Sequence, residues 1–108
     1  MKSAQENEFD SFKYDDFGFT FTSNGFSKRL NWVDITQLNV YKVDLLTTDM
    51  IEMEIVYGEE CFCVDEELPG WDQFVIKTKL IFPMIPSEWD LEIIQPPFAT
   101  NYQTIYNK

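Results

Sequence analysis

A few groups of residues in this chain are of types that could do chemistry. Glu52 and Glu54 are two apart. On a strand that spacing puts both carboxylates on one face, about 7 Å apart at the backbone. Paired carboxylates can act as acid and base in glycoside hydrolysis. Cys61 and Cys63 share the spacing and could ligate zinc or supply a nucleophile. Asp15-Asp16 and Asp65-Glu66-Glu67 could offer oxygens to calcium, and Lys28-Arg29 could meet a phosphate head group.

Each reading meets an obstacle elsewhere in the sequence. The chain has no His at all. A nucleophilic Cys therefore lacks its usual imidazole base. A zinc site would have only carboxylates to complete about four ligands. Neither acidic cluster has the spacing of an EF-hand loop. Two basic residues are too few for a phosphoinositide head group, and nothing around Glu52 and Glu54 suggests a cleft that would raise one pKa. Same-face acids on a strand are more often the wet side of a sheet. The cysteines are expected as reduced thiols packed in the core, because Cys is among the most buried residue types. No catalytic residue, cofactor or metal is expected.

Charge narrows the partners. With 19 acidic and 8 basic residues the chain carries a net charge of −11. Such a surface repels nucleic acid and anionic lipid; it permits a basic protein partner, and plain solubility accounts for the acidity equally well. The N-terminus, MKSAQENEFD, has no apolar core of the kind a secretory signal needs, and no run is long enough to span a membrane. Two cysteines one residue apart make no disulfide framework. A cytoplasmic protein is expected.

The elements that must position these residues follow from periodicity. At 108 residues, 44% hydrophobic and 17% aromatic, the chain is long and apolar enough for one packed domain. Residues 1–12 are expected as an acidic lead-in and residues 13–108 as the domain. From Phe17 to Thr22 aromatics alternate with Gly and Thr, which predicts a strand. Asn24-Gly25 predicts a hairpin, with a return strand from Phe26 to Trp32. A single turn over Trp32–Ile35 leads to a third strand, about Thr36 to Leu46, whose apolar face is expected to switch midway at a bulge. Met50–Tyr57 alternates cleanly with Glu52 and Glu54 outward, and Cys61–Glu67 makes a fifth strand. Pro69–Ile85 then carries Trp71, Phe74, Val75, Thr78, Phe82 and Ile85 at helical spacing. The fold class is α+β: a curved antiparallel meander of about five to seven strands, a half-barrel, capped by one long amphipathic C-terminal helix. Ser87–Ile94 fits either a short helix, with Trp89 and Ile93 four apart, or a strand. The aromatic end of the chain is expected as an extended tail.

In order and spacing the sequence resembles a family of small, uncharacterised bacterial single-domain proteins. The residues that carry the likeness are Asn31-Trp32-Val33-Asp34-Ile35, Tyr41-Lys42-Val43-Asp44, Asp49, Glu66-Glu67, Gly70-Trp71-Asp72-Gln73-Phe74, Phe82-Pro83, Trp89 and Pro97-Phe98-Ala99-Thr100-Asn101. The resemblance implies a pleckstrin-homology-like architecture and no known activity.

The function expected is therefore a non-enzymatic protein–protein interaction domain. The alternative is an acidic immunity or antitoxin protein that binds a cationic toxin. Trp89, Phe98, Tyr102, Tyr106, Glu52 and Glu54 are the expected partner contacts, since surface aromatics are favoured anchors. An uncovered sheet edge also invites a homodimer.

Overall fold

The computed structural model describes residues 10–97 and 99–108. Among these residues, seven strands form two antiparallel sheets. The first sheet has the order β1-β2-β3, from β1 (Phe12–Tyr14), β2 (Gly18–Ser23) and β3 (Phe26–Asn31). The second has the order β6-β5-β4-β7, from β4 (Gln37–Asp44), β5 (Asp49–Tyr57), β6 (Glu60–Asp65) and β7 (Gln103–Asn107). A 3-10 turn at Trp32–Asp34 joins the sheets. Two helices, α1 (Trp71–Ile81) and the short α2 (Trp89–Glu92), lie between β6 and β7 in the chain. No helix among the described residues is long and apolar enough to cross a membrane.

The fold class is α+β with antiparallel sheets, as expected, but the long helix is not C-terminal. It ends at Ile81, before Pro83, and β7 follows it. The extended chain end is itself a strand of the domain, because β7 hydrogen-bonds along β4. The domain also starts earlier than expected. Ser11 donates its N–H to the Pro69 carbonyl, and Phe12 is buried. The rest of the expected lead-in, residues 1–9, lies outside the described residues.

The core is built from the expected stripe. Trp71, Phe74, Val75, Thr78, Phe82 and Ile85 are all buried. Phe74 stacks on Phe12 with ring centroids 4.3 Å apart and also meets Phe19, Trp32 and Trp71. Asn24-Gly25 forms the β2–β3 hairpin with both residues at positive φ, as a two-residue turn requires. Phe17 is a correction. It precedes β2 in a turn, where its N–H and that of Gly18 bond the Asp15 carboxylate, and its ring is exposed.

β4 departs from expectation for a physical reason. Its register against β5 is continuous from Gln37 to Asp44, so no face switch occurs. The inward residues are Leu38, Val40 and Lys42. A buried lysine on the core face hides the alternation from a reading that counts apolar residues. Lys42 Nζ is held 3.4 Å from Asp49 Oδ2 and donates to the carbonyls of Ile94 (3.1 Å) and Pro96. The bulge lies instead against β7, between Leu38 and Asn39. It lets Ile105 and Tyr106, adjacent in sequence, both be buried.

Three substitutions test this account. A Cβ at Gly18 would sit 1.9 Å from the Leu30 carbonyl oxygen, so Gly18→Ala is expected to cost about 3 kcal/mol in chemical denaturation. Gly25→Ala has open space around the new methyl and is expected to cost about 1 kcal/mol, from positive φ alone. Lys42→Met leaves two carbonyls without their donor and is expected to cost about 3–5 kcal/mol in the same measurement.

Candidate functional site

The residues that could do chemistry gather on the outer face of the second sheet. Because Leu38, Met53 and Val64 point into the core, their strand neighbours point out. Register sets Asn39 opposite Glu54, Tyr41 opposite Glu52, Glu54 opposite Cys63 and Glu52 opposite Asp65. On the far side Thr104 of β7 lies opposite Asn39, and Tyr102 precedes that strand.

Hydrogen bonds gather these residues into two groups, and a ring stack joins the groups into one network. Asn39, itself buried, donates through Nδ2 to Glu54 Oε1 (2.8 Å) and Gln37 Oε1 (3.0 Å), and accepts from Thr104 Oγ1 (2.7 Å). Tyr102 donates its hydroxyl to Glu54 Oε1 at 3.1 Å. Tyr41 donates its hydroxyl to Glu52, and its oxygen lies 3.8 Å from Cys63 Sγ. The Tyr41 and Tyr102 rings stack 5.7 Å apart at 16°.

The electrostatics follow from these contacts. The Asn39 amide, with help from the Tyr102 hydroxyl, holds the Glu54 carboxyl below its ordinary pKa, so it is ionised at neutral pH. Burial and the hydrogen bond to Glu52 push the Tyr41 phenol well up. Loss of water and the Glu54 carboxylate push Tyr102 up as well. Cys61 rises to about 11, through burial and then Glu54, and Cys63 rises chiefly through burial. The phenols and thiols keep their protons at neutral pH. The face presents fixed donors and acceptors, and neither thiol is poised as a nucleophile.

Several expected contacts are corrected here. Trp89 is fully buried, and Tyr106 is buried with its ring 4.2 Å from Phe82, so neither offers a surface. The four-residue step from Trp89 to Ile93 drives both into the core from α2. Phe98 lies outside the described residues. Tyr102 is exposed, and Glu52 and Glu54 share its face. Cys61 and Cys63 are exposed, not packed in the core, because Phe62 and Val64 take the inward positions. Tyr41, Asn39 and Thr104 were not among the expected site residues. The strict alternation of β5 names the outward acids, but the neighbours that clasp them come from strands whose register no short stretch reveals.

The remaining clusters are accounted for locally. Asp15 binds Arg29 through two nitrogens and takes two backbone N–H groups, which hold its carboxyl down to about 2. Asp65 Oδ1 accepts from the Glu67 N–H, and Glu66 Oε1 accepts from the Ile51 N–H. No group of three or more potential ligands able to hold a metal occurs among the described residues. A groove of about 830 Å³ is lined by residues that include Asp10, Tyr14, Leu68 and Trp71, and it shares no residue with the outer-face network. It is open to solvent, and size alone gives it no chemistry.

Searches against protein-family models, curated proteins and solved structures find no match to this chain.

The raised thiol pKa has a measurable consequence. At pH 8 a group near 11 carries a few-hundredfold less thiolate than a free cysteine. Greater intrinsic nucleophilicity of a more basic thiolate offsets about tenfold of that. In a Cys63→Ser background, Cys61 is expected to react with an aromatic disulfide more than tenfold slower than free cysteine, despite its exposure. Adding Glu54→Gln removes the carboxylate and is expected to speed the reaction severalfold.

Proposed function

We propose that this chain is a non-enzymatic interaction domain whose outer sheet face binds a basic protein. One observation carries the reading. Glu52, Glu54 and Asp65 share that face, and none of them takes part in the ion pairs found among the described residues. Four cations pair elsewhere: Lys28 with Glu60, Arg29 with Asp15, Lys42 with Asp49 and Lys79 with Asp90. The face keeps its negative charge and adds an exposed tyrosine at 57% of full exposure, backed by a second ring. A stacked phenol beside a carboxylate is a good seat for a guanidinium, which can lie on the ring and bond the acid.

The pleckstrin-homology-like architecture belongs to the same proposal. Two packed antiparallel sheets of three and four strands with one long helix support it. The helix comes before β7, where that architecture has it after the last strand. The net charge of −11 also fits a second reading, an immunity or antitoxin protein set against a cationic toxin. Both readings place the contact on the same face. Neither involves nucleic acid, a membrane surface or a cofactor, and both suit a cytoplasmic protein.

The test is binding of an oligoarginine peptide, followed by titration calorimetry. Affinity is expected to fall at least tenfold between 50 and 300 mM salt. Glu52→Lys with Glu54→Lys is expected to abolish it, and Tyr102→Ala to weaken it about tenfold, with Tyr102→Phe in between. Affinity unchanged by the double charge reversal would sink the proposal.

A further inference from the structure

The second sheet ends at β6, and the direction of its main-chain groups can be read from neighbouring bonds. Glu66 donates its N–H to the Ile51 carbonyl, and Thr36 donates to the Val56 carbonyl. Ile51 therefore faces β6 and Val56 faces β4. By alternation Met53, Ile55 and Tyr57 face β6, where their partners are Val64, Phe62 and Glu60. The main-chain groups of Cys61, Cys63 and Asp65 then point away from the sheet. The Asp65 carbonyl accepts from Leu68, but no group among the described residues bonds the N–H of Cys61, Cys63 or Asp65 or the carbonyls of the two cysteines.

The same logic applies to the first sheet. Trp32 donates to the Phe17 carbonyl, so Leu30, Lys28 and Phe26 face β2, and Asn31, Arg29 and Ser27 face outward. Asn31 N–H reaches the Tyr57 hydroxyl at 3.0 Å. The two outward edges lie near each other without pairing. Among the described residues, every contact that crosses between them involves a side chain. Phe26 and Phe62 rings are 6.3 Å apart, and Lys28 lies 3.9 Å from Glu60. That ion pair is exposed on both sides, and such pairs give way cheaply.

The two faces beside the β6 edge differ sharply. On the outer face Asp65 and the Cys63 neighbour Glu54 are acidic. On the inner face Phe62 and the half-exposed Phe26 are aromatic. The edges of β1 and β7 have no such contrast: β7 carries Gln103, Thr104 and Asn107, and β1 is three residues long.

Resting on the reading that the outer face binds a basic protein, we infer that the partner supplies an extended segment of alternating basic and apolar residues that adds as a strand to the free edge of β6. Its main chain takes the unpaired groups of Cys61, Cys63 and Asp65. Its basic residues fall on the outer face near Glu54 and Asp65. Its apolar residues fall inward on Phe62 and Phe26. Period two in the segment matches period two in the edge. A second copy of this chain is a poorer occupant, because it would bring Glu60 and Asp65 against the same acids.

The test uses a short peptide of alternating valine and arginine, and a copy N-methylated at the amides on one edge. The peptide is expected to slow hydrogen exchange at the Cys61, Cys63 and Asp65 amides at least tenfold, and one-edge methylation to weaken binding at least tenfold. Cys63→Pro removes an outward N–H, which an edge strand tolerates, and is expected to weaken binding similarly. If that variant does not fold, the methylated peptide carries the comparison. Equal binding of both peptides without amide protection overturns strand addition and leaves the acidic-face reading standing. Failure of the valine–arginine peptide while oligoarginine binds does the same. Failure of both peptides overturns both readings. Concentration-dependent protection of those amides in the protein alone assigns the edge to a second copy and overturns the inference.

Discussion

The fold depends on one buried ring. Phe74 comes from α1, and it touches β1 through Phe12, β2 through Phe19 and the inter-sheet turn through Trp32. Neither sheet could hide its inner face alone. Three strands on one side and four on the other leave an open-sided space, and the helix stripe fills it. A fully buried Phe contributes about 2–3 kcal/mol by area, and each good ring pair adds about 0.5–1.5 kcal/mol. The contacts of Phe74 to three separate elements are therefore worth more than any single hydrogen bond in the chain. They also bring β1 into the domain, although three residues pairing with one neighbour would not hold it.

A second constraint sets the opposite end. Lys42 sits on the core face of β4 with its side chain almost wholly out of water. It is tolerated because Asp49 and two carbonyls satisfy it, which is the condition under which a buried charge persists. Its backbone N–H takes the Thr100 carbonyl, and Asn101 Nδ2 takes the carbonyls of Ile93 and Gln95. The segment after α2 is thus tied down carbonyl by carbonyl. That tie delivers Tyr102 to Tyr41 and starts β7 along β4. An inner-face lysine in this way positions an outer-face tyrosine.

What could be read from the sequence was whatever repeats over a short span. The α1 stripe, the Asn24-Gly25 hairpin and the β5 alternation each rest on neighbours within a few residues, and each stands where expected. Residues decided by distant partners were hidden. β1 is too short to show a period. In β7 the bulge buries Ile105 and Tyr106 together, which defeats alternation. Lys42 breaks the apolar pattern of β4 because its partners lie at Asp49, Ile94 and Pro96. The cysteines show two rules in conflict. Composition favours burial of Cys, but strand geometry gives Phe62 and Val64 the inward places, and geometry wins because the whole strand must face one way. Of the outer site, Glu52, Glu54 and Tyr102 were visible as residues, while Asn39, Tyr41 and Thr104 depend on register across three strands.

Charge on this molecule is arranged, and net charge alone does not describe it. Three of the four ion pairs among the described residues place their cation where structure needs one: Arg29 closes the turn around Asp15, Lys79 ties α1 to α2 through Asp90, and Lys42 holds the loop before β7. The outer face of the second sheet receives none of them. Its carboxylates are instead clasped by amide and phenol groups, which fix their direction without cancelling their charge. The Asn39 amide lowers the Glu54 pKa, so this clasp stabilises the fold at neutral pH and loses that contribution as the acid protonates. It leaves the charge itself uncompensated. A preorganised negative surface is useful when the compensating charge arrives from outside, because the ordering is already complete and less entropy is lost on contact. That saving in entropy is the physical ground for our proposal that this face is one half of an interface.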